Sequence, residues 1–424
     1  MEHNTPNQFQ SFWRNCKWPL WIISASALLA ILIIAILVIF KSDVSQSNGN
    51  DEMPQAQESI AVQAGKNLSH QACTGEDVTN KLSVSPMKPE DFNIVVPYGL
   101  VVGAHVTPID HQYFTPKDYN SPVDAYEVYA MGDAHIVDIS ARTRPFGEEY
   151  RLVFSVSCTY FYYYDLVTSL VPDIKAAYDD YKQNSTPIDL PVSAGQLIGY
   201  IGGQTLDFAV WDTTKPLSGF VIPEHYSSEP WKIYTADPLN YYTDELKTFI
   251  LSRYVRTAQP ISGKIDYDID GRLIGNWFLE GTNGYEGDTS DNKTHYWSTH
   301  LSFAPDLYDP NWFIVSIGSM QGHEGLCAQF VSTTNTPNPQ DVSTETGLIK
   351  YNLKTWSYIK PDGNMWDQNS LAANIKVEVN DQEPVQGCAL VQMIEDRKIK
   401  FQVFKNQACN NLGSFTDEAQ IYNR

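Results

Sequence analysis

Residues 191–212 read PVSAGQLIGYIGGQTLDFAVWD. Gln196–Ile201 (QLIGYI) and Leu206–Trp211 (LDFAVW) have the apolar and aromatic content of two short β-strands. Gly202 and Gly203 between them supply backbone angles that other residues resist. Gly195 and Gly199 permit a close backbone approach or a bulge. Upstream, Asn93–His105, Ala125–Ala130, His135–Arg142 and the long run Tyr150–Tyr164 (YRLVFSVSCTYFYYY) read as further strands between Gly, Pro and Asp turns. This pattern predicts an all-β domain over 89–215. Leu166–Gln183 reads as a helical insertion broken at Pro172.

Downstream, Leu239, Leu246, Phe249, Ile250 and Tyr254 lie roughly on one face of a helix over Leu239–Arg256, inside a connector at 216–258. From 259 to 424 strand follows strand. Lys264–Ile269 and Arg272–Leu279 form a predicted hairpin about Asp270-Gly271, a two-residue turn signal. Tyr296–Phe303, Trp312–Ile317, Leu348–Leu353 and Ile375–Val379 follow, then a last hairpin of Ala389–Ile394 and Lys398–Phe404. About eight strands in this length fit a β-barrel or a β-sandwich. The fold class read from the chain is therefore mainly β.

Ahead of the domains, Trp18–Phe40 (WPLWIISASALLAILIIAILVIF) carries no charge and is long enough to span a hydrocarbon core as a helix. Arg14 and Lys17 before it place residues 1–17 in the cytoplasm and the bulk of the chain outside the cell membrane. No small-residue cleavage site follows, which favours an uncleaved signal anchor over a cleaved signal peptide. Residues 41–88 are rich in Ser, Gln, Asn, Asp and Glu and read as a flexible stalk.

The formal net charge of −21 argues against nucleic acid as a partner, because a phosphate backbone needs a basic footprint. The 25 Tyr and 10 Trp suit sheet faces. Of six cysteines, Cys16 precedes the apolar stretch; the five beyond it allow at most two disulfides and leave one thiol over. Cys388 and Cys409 flank the last hairpin and are the candidate pair.

The stretch Val192-x-x-Gly195-Gln196-x-Ile198-Gly199 resembles the end of a LytM or lysostaphin-type zinc endopeptidase domain, in which such a turn leads into a strand carrying His-x-His. The resemblance covers roughly Asp91 to Asp212. In that family a His-x-x-x-Asp near the start and the second His of His-x-His bind zinc, while the first His and another on a central strand assist the attacking water. Three protein ligands leave an open position where bound water becomes acidic enough to attack an amide. Here His105 is the counterpart of the first ligand. The residue four further on is Ile109; Asp110 and His111 come next. The His-x-His position reads Thr205-Leu206-Asp207, and Tyr164-Asp165 stand where the central-strand His falls. The resemblance thus implies a metal set drawn from His105, Asp110, His111 and Asp207, with zinc as the cofactor if any is held, and with both assisting histidines gone. It implies a domain that binds or scaffolds at the cell wall or surface, its partner a wall peptide or an envelope protein. The alternatives are an active zinc endopeptidase with an Asp-containing site and a β-barrel that carries a small ligand.

Other motifs add less. Asp266-x-Asp268-x-Asp270-Gly271 matches the front of a calcium loop, but Trp277 stands where the bidentate Glu belongs. Alternation with Ile265, Tyr267 and Ile269 puts those acids on the wet face of a strand. Gly275-Asn276-Trp277 is similar to the Gly-x-Trp opening of lipocalin-type barrels, and Trp277 then anchors one end of a β core. His295 and His300 point to opposite faces of one predicted strand. Ser302 and Cys327 lack any surrounding nucleophile motif.

Overall fold

A computed structural model describes residues 81–145, 147–288, 295–320, 327–332 and 336–424. Residues 1–17, expected to be a cytoplasmic tail, the apolar stretch 18–40 and nearly all of the expected stalk lie outside the described residues. Among those described, no helix is long and apolar enough to cross a membrane.

The first half contains β1 (Phe92–Val96), β2 (Gln112–Pro116), β3 (Tyr126–Tyr129), β4 (Ala134–Arg144), β5 (Gly147–Ser155), β6 (Tyr160–Val167), β7 (Ser169–Leu170), helix α1 (Pro172–Asn184), β8 (Leu190–Val192), β9 (Leu197–Ile201), β10 (Leu206–Asp212), β11 (Thr235–Ala236) and helix α2 (Asp244–Leu251). The main sheet runs β1-β2-β10-β6-β5-β4-β8, with β11 also on β10, and every pairing is antiparallel. A three-stranded sheet, β3-β9-β7, lies over one of its faces.

The chain of residues 191–212 therefore changes sheets at its glycine turn: β9 belongs to the small sheet and β10 to the middle of the large one. Gly203 makes the turn at φ +70°, in the left-handed region that favours glycine. At Gly202 a Cβ would meet the Pro122 carbonyl oxygen at 2.0 Å, so only glycine fits.

Alternation along β6 and β10 sends side chains to two buried faces. Tyr162, Tyr164, Phe208 and Val210 pack with Val128, Ile198 and Ile201 of the small sheet. Phe161, Tyr163, Ala209 and Trp211 pack on the other side with Phe220, Tyr226, Tyr234, Phe278 and Tyr285. A sheet covered on both faces has no need of polar alternation, which is why FYYYD and LDFAVWD read as nearly continuous apolar runs. Each aromatic withdrawn from water in this way stabilises by roughly 1.5–3 kcal/mol.

Several expectations change. Leu82 and Met87, read as stalk, are buried in the core, and Leu82 bridges to Tyr242. Asn93–His105 is a strand only to Val96. The run Tyr150–Tyr164 is divided between β5 and β6. Pro172 does not break a helix; it opens α1 at the first helical position, where its missing N–H leaves no bond unmade. The connector helix is the short α2, capped by the Thr243 side chain, with a 3-10 turn at Pro238–Asn240 before it.

The second half contains β12 (Gly275–Leu279), β13 (His300–Pro305), β14 (Phe313–Ile317), β15 (Ala328–Ser332), β16 (Ile349–Lys354), β17 (Trp356–Ile359), β18 (Lys376–Val379), β19 (Gly387–Glu395), β20 (Lys398–Lys405) and β21 (Gln420–Asn423). β12-β13-β14-β15-β16-β19-β20-β21 close into a barrel, and β17 and β18 form a separate ribbon. Trp277, Leu301, Phe303, Val315, Ile317, Tyr351, Val391, Phe401 and Tyr422 are buried together in its core. A barrel of this size is just wide enough for side chains to fill. The architecture is thus a closed barrel with a side-chain core, not a sandwich.

The predicted hairpin about Asp270-Gly271 does not form. β12 pairs with β13 and β21, and residues 264–269 run as irregular chain. Asp266 and Asp268 are buried, not on a wet face. Asp266 accepts from the Gly219 N–H, Asp268 from the Val221 and Asn276 N–H groups, and Asp270 pairs with Arg397. The three acids serve three different partners and do not converge as a calcium loop would. Residues 296–299 are a 3-10 turn, so strand β13 starts only at His300.

Cys388 and Cys409 form a disulfide with Cα atoms 5.0 Å apart, tying β19 to the turn after β20. A link of this kind stabilises by about 2–4 kcal/mol. Cys158, Cys327, Cys388 and Cys409 are all disulfide-bonded, so no cysteine among the described residues is free.

Candidate functional site

Strand register assembles the site. Asp207 on β10 stands opposite Tyr113 on β2 and Asp165 on β6. Asp207 and Asp165 share the parity of Ala209 and Tyr163, so they face the connector and the barrel. His105 sits in the loop between β1 and β2, where its N–H donates to the Val102 carbonyl at 3.0 Å. Asp110 and His111 immediately precede β2.

Sequence spacing was ambiguous between Asp110 and His111, and the fold uses both. His111 Nδ1 lies 3.1 Å from Asp110 Oδ1. Its Nε2 lies 3.2 Å from the Tyr113 hydroxyl and 3.4 Å from Asp207 Oδ2. The His105 and His111 rings meet edge to face at 5.5 Å. Thr205, in the position of the first histidine of His-x-His, donates its hydroxyl to Asp207 Oδ1 at 3.1 Å. All four predicted metal residues are therefore neighbours.

The residue that decides their chemistry was not among them. Lys232, in the 3-10 turn Pro230–Tyr234 of the connector, is buried, and its Nζ lies 2.8 Å from Asp110 Oδ2. It also pairs with Glu229 at 3.1 Å and sits over the Tyr285 ring at 4.5 Å. Nothing in the segment SSEPWKIYTAD separates this lysine from a solvated one. Asp165, one of the two residues the resemblance sets against the central-strand histidine, is held by Arg151 at 2.7 Å and Arg142 at 2.5 Å. Arg142 also bonds the buried Glu149 at 2.8 Å. Asp165 and Glu149 thus have their own cations, while Asp207 on the same face pairs with His111 and with no lysine or arginine among the described residues.

Electrostatics follow from these contacts. Burial acts to raise the Asp110 carboxyl, but the Lys232 ammonium and His111 outweigh it and hold Asp110 well below the usual carboxylate range. Burial acts to lower Lys232, and Asp110 and Glu229 overcome that and hold it above its ordinary value. Burial pushes Asp207 up to about 7, partly offset by His111. Burial, with the charges of His111 and Lys232, lowers His105 to about 3.

Zinc needs three donors with free lone pairs aimed at one point. Both nitrogens of His111 and both oxygens of Asp110 are already engaged, and a buried ammonium lies against Asp110. Among the described residues no group of three or more His, Cys, Asp or Glu is set to hold a metal ion. The residues in this arrangement do not fit zinc.

The raised pKa of Asp207 has a consequence for stability. In the unfolded chain this carboxyl titrates near 3.9. Between about pH 4 and 7 the folded protein therefore holds a proton that the unfolded chain has released, and Asp207 contributes stability that is full below about pH 4 and lost as pH rises through about 7. His105 acts oppositely: its contribution is full above about pH 6.5 and lost as pH falls towards 3. Asp207→Asn removes only the first effect. Urea unfolding is expected to show this variant gaining stability relative to the parent on going from pH 4 to pH 7. A parent–variant difference that stays constant across that interval refutes the assignment.

No family model matches the chain, and no curated relative does. Among solved structures, the chain is similar in part to Csd3 of Helicobacter pylori, at 15% identity and a TM-score of 0.22 over 33% of this chain and 33% of that one. It is similar to a zinc-containing peptidase from Vibrio cholerae at 17% identity and a TM-score of 0.19, over 31% and 34% of the two chains. The solution structure of lysostaphin matches at 11% identity and a TM-score of 0.24, over 80% and 90%. The chain spans about a third of the length of the first two.

Proposed function

We propose that this is an envelope protein, anchored in the cell membrane by residues 18–40, whose first β domain has a LytM-type peptidase frame adapted to binding or scaffolding and not to hydrolysis. Its partner is a wall peptide or another envelope protein. The observation that carries the reading is the ion-pair network at the frame's metal position. Lys232 supplies the positive charge that Asp110 requires, His111 spends both nitrogens on protein partners, and the resemblance sets Thr205 and the Tyr164-Asp165 pair where that family has its water-activating histidines. An active zinc endopeptidase is the competing reading.

The test takes the full chain in detergent and measures bound metal by elemental analysis beside His105→Ala and Asp207→Ala variants, then incubates it with cross-linked muropeptides. The expected result is far less than one zinc per chain and uncleaved peptides. One zinc per chain, lost in both variants and accompanied by cleavage, overturns the proposal.

A further inference from the structure

A cleft whose lining includes none of the residues around His111 lies between the segment that follows β10, the turn after β11 and residues 260–266. Its volume is about 510 Å³, within the range of roughly 300–1,000 Å³ typical of small-molecule sites. One wall carries a rigid polar triad. Asp212 Oδ2 accepts from the Tyr241 hydroxyl at 2.5 Å and from Lys215 Nζ at 2.7 Å, and Lys215 Nζ lies 3.1 Å from that hydroxyl. Across the cleft, Lys264 Nζ bonds Asp266 Oδ1 at 2.7 Å.

Hydrogen-bonding capacity remains after these contacts. An ammonium has three N–H donors, so one stays available on Lys215 and two on Lys264. Asp237 accepts from the Leu239 N–H through Oδ1, leaving Oδ2 as an acceptor. Asn240 is exposed and lines the cleft. Between these groups the lining is apolar, from Pro216, Leu217, Pro260 and Ile265.

This combination selects a ligand class. Each lysine already has its carboxylate, so no cation is left uncompensated for a phosphate. An apolar ligand would strand the amide and the ammonium donors. A peptide would ordinarily be read by strand addition at a sheet edge, and the one strand in the cleft lining, β11, is only two residues long, too short to template such an addition. A ligand with hydroxyls on its rim and C–H groups on its faces satisfies both sets of groups. We propose that this cleft binds a short neutral saccharide, with Asn240, Asp237 and Lys264 reading its hydroxyls and the prolines lying against its ring faces. The proposal is independent of how the peptidase-like frame is used.

The test is saturation-transfer NMR on the full chain with chitotriose and maltotriose, repeated with Asn240→Ala and Lys264→Met and with orthophosphate as competitor. The expected result is saturable binding of one trisaccharide, weakened at least tenfold in each variant while the unfolding midpoint of Asn240→Ala is unchanged. No saturable binding of either sugar, binding indifferent to both substitutions, or displacement of the sugar by orthophosphate each overturns it.

Discussion

Lys232→Met is expected to destabilise the protein by about 3–5 kcal/mol, because it leaves the Asp110 carboxylate buried without its cation. The lysine lies in a short turn of the connector and Asp110 in the loop before β2, so the pair also holds the connector against the main sheet. Asp110→Asn alone is expected to be costly as well, since Lys232 then keeps only Glu229 at 3.1 Å. The double variant, Lys232→Met with Asp110→Asn, removes both charges and should recover most of the loss, as replacing a buried pair by neutral groups is often close to neutral. Urea unfolding of the four proteins gives the coupling energy directly. A Lys232→Met variant within about 1 kcal/mol of the parent, or a double variant no better than the worse single one, would show that the pair is not what stabilises this region.

Arg424→Ala is expected to have a comparable effect on the second half, again about 3–5 kcal/mol. The Arg424 guanidinium lies 4.1 Å from the centre of the Trp277 ring. It donates to the Ile269 and Arg272 carbonyls at 2.9 and 2.8 Å and to the Ile274 carbonyl, and reaches Asp268 at 3.7 Å. One side chain thus satisfies the irregular residues leading into β12, covers the largest buried ring of the barrel and compensates a buried acid. Burial already holds Asp268 above its ordinary value, so removing the arginine leaves it no nearby cation among the described partners. Arg424→Lys keeps the charge and loses the planar fork, and should fall between parent and alanine variant. Thermal unfolding followed by circular dichroism reads the loss of stability. An alanine variant that melts with the parent would remove Arg424 from this role.

Much of the fold was legible residue by residue. The strands at 126–129, 197–201, 206–212 and 313–317 lie where β-branched and aromatic residues cluster between turn formers, and such local preferences survive in a fold made of antiparallel neighbours. Errors came where a local rule competed with a non-local partner. Asp270-Gly271 is a good hairpin signal, yet β12 found β13 and β21, and the acids before it were taken by backbone N–H groups of the connector. Alternation at 265–269 was real in sequence and meaningless in space, because Asp266 and Asp268 are buried along with Ile265 while Ile269 is exposed.

At the site the same division holds. The Gly195-Gln196-x-Ile198-Gly199 turn and the positions of His105, Asp110, His111 and Asp207 could be picked out from the chain alone, and they do meet. Their chemistry could not be read there. An ion pair depends on two charged atoms coming within about 4 Å, and chain spacing carries no information about that when the partners are far apart in sequence.

The amino-acid sequence by itself determined the β-rich character of the chain, the glycine turn between β9 and β10 and the proximity of Cys388 to Cys409, because each follows from local backbone preference or a short loop. Only the tertiary structure decided that the barrel is closed and filled, that Arg424 seals its Trp277 end, and that Lys232 reaches Asp110. Those outcomes rest on packing and charge pairing between distant segments, and their energies exist only once the connector and the barrel have covered the second face of the main sheet.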